Sequence, residues 1–182
     1  MQTVGVSVPR LDAVAKVTGR ATYTGDIRLP GMAYAKMLSS PLPHARITSI
    51  DVSEARHLPG VVAVLTPDQL HDIDPYYGNT VKDRPILAMD KVRYQGEPVA
   101  ALVAVDERTA ERAVGLIRVA YEELPVAADI ETALAEDAPL LHASNMCHEY
   151  HYDWGDAEAG FAESDHVFED TFTFPMVYHY AL

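Results

Sequence analysis

Between Lys91 and Pro125 the spacing of apolar and polar positions changes twice, and each change marks an element. Val99 to Val105 is an unbroken apolar run rich in Val and Ala, and at this length it predicts a strand covered on both faces. Asp106 is placed to cap a helix in which Ala110, Ala113, Val114 and Ile117 recur at i, i+3, i+4 and i+7. That spacing lays one apolar stripe against a sheet and leaves Glu107, Arg108, Glu111 and Arg112 to solvent. The period then falls to two: Ile117, Val119 and Tyr121 alternate with Arg118, Ala120 and Glu122 until Pro125 ends the strand. The stretch reads as a β-α-β unit, with a right-handed crossover if its strands are parallel. Just ahead of it, Gly96 can adopt a backbone conformation closed to other residues, and Pro98 keeps Glu97 out of the helical region. Gly96, Glu97 and Pro98 are therefore expected to form a tight structural turn at the entry of the strand.

The preceding ninety residues repeat the theme less cleanly. Val4 to Asp26 predicts a mostly extended arm with turns at Gly19 and Gly25. Met32 to Leu38 suits a strand covered on both faces, and Ser39 to Ala45 a Pro- and Ser-rich loop. Ile47 to Val52 predicts a strand, Asp51 with Glu54 a capping-box-like start to a short helix ending before Pro59, and Val61 to Leu65 a buried strand. Thr66-Pro-Asp begins a helical turn, whereas His71 to Arg84 is polar, without a clear period, and expected to be a surface loop. After the central unit, Val126 to His142 contains an Ala-rich helical turn, and Asp156 to Asp165 a short acidic helix or turn. Phe168, Asp170, Phe172 and Phe174 then alternate with Val167, Glu169, Thr171 and Thr173 as a strand would.

Composition narrows the function classes. A chain of 182 residues, 48% hydrophobic and 23% charged, is of the soluble globular kind. Its formal charge of −13 argues against nucleic acid or an anionic membrane as partner, since both are bound through Lys and Arg. The first residues carry neither a basic nor an apolar targeting segment, and no run approaches the roughly 20 apolar residues that span a bilayer. A cytoplasmic protein is expected. The single Cys147 cannot form an internal disulfide or, alone, hold an iron-sulfur cluster, which takes four thiolates.

Candidate chemistry is sparse. His44 lies in a loop with no acid or nucleophile nearby and is read as structural. His71, Asp72, Asp74 and Asp83 fit no known oxygen-ligand loop. Five of the eight histidines lie between His142 and His179, and Cys147, His148 and His151, with Glu149, form the most metal-like cluster. In an extended segment, however, His148 and His151 point apart, which weakens that assignment. No spacing matches a nucleophilic triad, a P-loop or a zinc site.

The spelling carries more. Arg10, Asp12, Lys16-Val-Thr-Gly19, Tyr23, Asp26 and Leu29-Pro-Gly-Met32 form one phrase. Ser40-Pro with His44-Ala-Arg-Ile47, Lys91-Val-Arg-Tyr-Gln-Gly-Glu-Pro-Val-Ala100 and Tyr121-Glu-Glu-Leu-Pro125 follow. Gly155-Asp156, Gly160-Phe-Ala162, Asp165, Phe172, Pro175 and His179 close the series, with Ser164 where Ala is commoner. In this order and spacing the phrases resemble the N-terminal part of the molybdenum-bearing large subunit of the xanthine dehydrogenase, aldehyde oxidase and CO dehydrogenase family. The resemblance implies an α+β fold: an α/β hammerhead domain of repeated strand-helix-strand units over residues 1–142. The first strands of a molybdopterin-binding domain would follow over residues 143–182, incomplete.

It further implies a role inside a molybdenum hydroxylase. Such enzymes oxidise or hydroxylate a carbon centre with oxygen from water and pass electrons to iron-sulfur and flavin groups. The complex would carry molybdopterin cytosine dinucleotide, two 2Fe-2S clusters and FAD. Its partners would be the remaining molybdopterin-binding chain or domain, an iron-sulfur subunit and an FAD subunit. The family's catalytic Glu and its pterin-contacting loops lie downstream of the matched phrases. No residue here inherits a catalytic or cofactor-binding role, and the isolated chain is expected to be inactive. Phe172, Phe174, Tyr178, His179, Tyr180 and Leu182 would form a partner interface, being an apolar edge in need of pairing. The alternative is a free-standing, non-catalytic binding module.

Overall fold

The computed structural model describes residues 4–79, 81–175 and 177. The chain divides into two compact units, Met1–Asn145 and Met146–Leu182.

In the first unit the expected strand, helix and strand are β7 (Pro98–Ala104), α3 (Glu107–Val114) and β8 (Arg118–Glu123). No residue of β7 is exposed, because the strand lies at the centre of its sheet. The Asp106 carboxylate caps α3 by accepting the Thr109 backbone N–H at 2.8 Å and the Thr109 hydroxyl at 2.8 Å. Ala110 and Ala113 are fully buried on the inner side of α3, and their small side chains let the helix sit close to Ala100, Leu102 and Ala104. Lys36 fastens the same helix from outside, with its Nζ 3.2 Å from Glu107 and 3.3 Å from Glu111.

β7 and β8 do not pair, and every ladder among the described residues is antiparallel. One sheet, sheet A, has the order β1 (Tyr34–Ser39), β7, β3 (Val61–Leu65). The other, sheet B, has the order β6 (Lys91–Val92), β2 (Ala45–Asp51), β8. Two of the crossings between sheets run through a helix, in opposite senses: from β2 through α2 (Ser53–His57) to β3, and from β7 through α3 to β8. Since β2 pairs β8 and β3 pairs β7, the two strand-helix-strand units interlock. A right-handed parallel crossover is thus not what the β-α-β pattern encodes here. Where the helices cross, Gly60 lies beneath α3. A Cβ there would stand 3.1 Å from Val105 and 3.2 Å from Thr109, and its φ of +93° favours glycine as well.

Several local expectations need correction. β1 has one exposed face and β3 is only half-buried, because both are edge strands and α3 lies on one side of their sheet. The arm contains a one-turn helix, α1 (Ala13–Val17), held by ion pairs of Asp12 with Arg10 at 2.6 Å and Lys16 at 2.9 Å. Asp51 forms no capping box. Its carboxylate accepts the Ser53 N–H at 2.9 Å, which turns the chain into α2. The 71–84 loop opens and closes on a two-residue ladder, β4 (Tyr76–Tyr77) with β5 (Arg84–Pro85). The Asp74 carboxylate accepting the Tyr76 N–H and the Ile86 N–H donating to Pro75 O hold the Tyr76–Pro85 end of that ladder. The unit finishes with α4 (Ile130–Leu134), capped by Asp129 on the Thr132 N–H at 2.7 Å. Among the described residues no helix is long and apolar enough to cross a membrane.

In the second unit α5 (Ala157–Glu163) is the acidic helix, with the Asp156 carboxylate accepting the Ala159 N–H at 2.9 Å. Residues 166–175 enter no ladder, so the expected strand does not form. Alternation supplies a face, but a strand also needs a partner for its backbone groups.

Candidate functional site

The densest set of buried polar groups surrounds the turn between β6 and β7. Gly96 has φ +94° with open space where a Cβ would stand, so backbone conformation alone asks for glycine. The turn closes with the Glu97 N–H donating to Tyr94 O at 3.2 Å. It is then pinned to the end of β1, with the Gly96 N–H donating to Ser40 O and the Ser40 N–H to Glu97 O, both at 2.9 Å. Ser40 is itself buried, and its hydroxyl donates to Leu42 O at 2.9 Å. Pro98 opens β7, where its missing N–H costs nothing, and its carbonyl accepts the Ala88 N–H at 2.8 Å.

Glu97 is 2% exposed. Its carboxylate accepts the Arg93 backbone N–H. Burial pushes the carboxyl above its ordinary pKa, against the opposing pull of that N–H, the Arg93 guanidinium and His142. Arg93 donates from Nη1 to Lys91 O at 3.0 Å and from Nη2 to Asp90 at 3.1 Å, while its buried Nε has no partner among the described residues. A cavity of about 240 Å³ beside the turn is lined by Arg84, Arg93, Tyr94, Glu97, Leu141 and His142.

His44 stands on the other side of Arg93 as a strut. Its Nδ1–H donates to Pro125 O at 2.6 Å, which leaves Nε2 to accept from Lys91 Nζ at 3.3 Å. Lys91 also donates to Leu140 O at 3.1 Å, and burial lowers its pKa. Asn145 completes the frame: its amide donates to Ala133 O at 2.9 Å and Pro139 O at 3.1 Å, while its carbonyl accepts the Leu141 N–H. His44 thus joins β2, β6 and the end of β8 by hydrogen bonds, as a structural histidine does. Ser40 and Lys91 stand in the sequence only as members of the family-like phrases, and neither they nor Asn145 carry a sign there of the hydrogen bonds they make. Their places at the margins of apolar strands and loops are the one local signal.

The remaining candidates lie in the second unit. Cys147 is exposed. The rings of His148, Tyr150 and Tyr152 follow one another at 5.8 and 6.3 Å, whereas His151 pairs with Glu149 at 3.0 Å. Among the described residues no three His, Cys, Asp or Glu side chains converge on a point that could hold a metal. Phe172 and Phe174 are 80% and 87% exposed. Tyr178, His179, Tyr180 and Leu182 lie outside the described residues.

This architecture is that of a domain built into molybdenum oxidoreductases. Residues 18–125 match the family described as aldehyde oxidase and xanthine dehydrogenase, a/b hammerhead domain, and the chain belongs to that family. It is similar to a probable xanthine dehydrogenase subunit of Bacillus subtilis, 41% identical over 93% of this chain and 23% of that protein. It is also similar to the nicotinate dehydrogenase large molybdopterin subunit of Eubacterium barkeri, 36% identical over 98% of this chain and 42% of that protein. Among solved structures, CO dehydrogenase from Oligotropha carboxidovorans superposes with a TM-score of 0.69 at 40% identity. That superposition covers 75% of this chain and 17% of the other. The chain therefore spans less than half the length of these relatives.

Proposed function

We propose that this chain serves as the N-terminal structural portion of the molybdenum-bearing large subunit of a molybdenum hydroxylase. The observation that carries the reading is the asymmetry of coverage: nearly all of this chain aligns with relatives of which it spans 23% and 42%. Both relatives are described as subunits, one of them as a large molybdopterin subunit.

In this reading residues 1–142 form the hammerhead domain and residues 143–182 begin the molybdopterin-binding domain. The assembled enzyme oxidises or hydroxylates a carbon centre, with molybdopterin cytosine dinucleotide, two 2Fe-2S clusters and FAD held by its other parts. The iron-sulfur and FAD subunits and the rest of the molybdopterin-binding polypeptide are the partners, and the cytoplasm is the location. What this chain supplies is placement. A rigid two-sheet body, locked around Glu97 and His44, presents surfaces to neighbouring polypeptides. Phe172 and Phe174, with Tyr178, His179, Tyr180 and Leu182, form a partner interface of the second unit.

The test is the purified chain alone. It is expected to bind no molybdopterin and to oxidise neither purines, N-heteroaromatics, aldehydes nor CO in the presence of an artificial electron acceptor. Turnover by the isolated chain would contradict the proposal.

A further inference from the structure

The two sheets differ in their outer faces. In sheet B the outward positions include Arg46, Glu122, Asp51 and Arg118, with Arg46 3.3 Å from Glu122, and that face is built for water. Sheet A turns Tyr34, Leu38, Val64, Ala100, Leu102 and Ala104 towards α3. By strand alternation and cross-strand pairing its opposite face carries Ala35 and Met37 on β1, Ala101 and Val103 on β7, and Ala63 and Leu65 on β3; Val99 of β7 shares that side but is buried in a core cluster, and β1 shifts register at the exposed Ser39, so the open part of the face is these six. All six are apolar and none belongs to either core cluster. Met37 is 61% exposed, and Ala35 and Ala63 are exposed as well.

An antiparallel sheet with one face in solvent ordinarily alternates apolar with polar positions, as sheet B does. A contiguous apolar face marks a contact, where scattered apolar residues would not. We infer that this face of sheet A is a permanent docking surface for an apolar surface of the remaining molybdopterin-binding polypeptide, an inference that rests on the function proposed above. Two observations select that occupant. The face has no charged side chain in a chain of net charge −13, which suits the apolar core of an obligate interface better than a transient, charged encounter. Relatives of this chain continue well beyond the matched region, to more than twice and more than four times its extent, so the expected neighbour is large and always present. The alternation of Ala35, Ala63 and Ala101 with Met37, Leu65 and Val103 gives a low-relief surface. Another element can approach it as closely as α3 approaches the opposite face through Ala110 and Ala113.

The test uses the protein in its source cells, with the complex followed through size-exclusion chromatography by its molybdenum. Met37→Lys places an ammonium on the apolar face, and Ala120→Lys places one on the outer face of sheet B. Co-elution of the Met37→Lys chain with the molybdenum-bearing polypeptide is expected to fall about tenfold or more, since an unpaired charge would be buried. Ala120→Lys is expected to co-elute as the parent does. Thermal unfolding of each purified chain checks that it remains folded, and Ala63→Glu on the other edge strand repeats the test if Met37→Lys does not fold. Parental co-elution of the folded Met37→Lys chain, or of Ala63→Glu in its place, would overturn the assignment of this face and leave complex membership standing. Failure of the parent itself to co-elute with molybdenum would overturn the function proposed above and this inference with it. Self-association of the parent that Met37→Lys abolishes would identify a second copy as the occupant and overturn the inference.

Discussion

Glu97 concentrates the physical tensions of the structure in one side chain. A buried carboxylate is costly to charge, yet this one supplies the acceptor for the Arg93 N–H at the entry of the central strand. Because the folded state raises its pKa, the folded chain binds this proton more tightly than the unfolded chain does. The resulting stabilisation is complete below the unfolded carboxyl value, near 4.3, and is lost as pH rises through the folded value. Glu97→Gln keeps an acceptor without the charge. It is expected to melt above the parent at pH 7, with the difference narrowing as pH falls towards about 4. Glu97→Ala removes the acceptor and is expected to cost about 1–3 kcal/mol. Thermal melts of the three proteins across that pH range check both expectations, and a Glu97→Gln variant less stable than the parent at pH 7 would contradict them. The sequence disclosed that Gly96 and Pro98 shape a turn, because their backbone restrictions are intrinsic. It did not disclose that Glu97 is buried, since the turn is closed by hydrogen bonds to Ser40, which lies far away in sequence at the end of β1.

Elements were legible where a single local cause sets them. The 98–123 region follows its hydrophobic period and its Asp106 cap almost residue for residue. Pairing was not legible, because register joins residues far apart in sequence: Tyr34 opposes Ala104, and Ala45 opposes Glu123. For the same reason the covered faces expected of Met32 to Leu38 and Val61 to Leu65 became half-exposed edges, and the alternating phenylalanines of 168–174 made no strand. The second unit contributes one short helix and no ladder among its described residues, with Trp154 98% exposed. Its removal is therefore expected to leave the first unit intact. A chain ending at Asn145 keeps the Asn145 hydrogen bonds to Ala133, Pro139 and Leu141. It should unfold cooperatively with a melting temperature within a few degrees of the parent's, since about 1 kcal/mol shifts a domain of this size by a few degrees. A broad, non-cooperative transition in differential scanning calorimetry would contradict that independence.

At the scale of the whole molecule, the first unit combines a locked polar frame with an open apolar face, and the second leaves Phe172 and Phe174 exposed. A charge of −13 repels the phosphates of nucleic acid and of anionic membranes. The family match places the chain among molybdenum oxidoreductases. The role proposed for this chain is therefore assembly. It is tested most directly by the native mass of the protein isolated from its own source, with molybdenum and iron assayed across the same chromatographic peak. The account predicts elution in a large complex in which both metals co-migrate with this chain. A metal-free peak near the chain's own 20.0 kDa would contradict it.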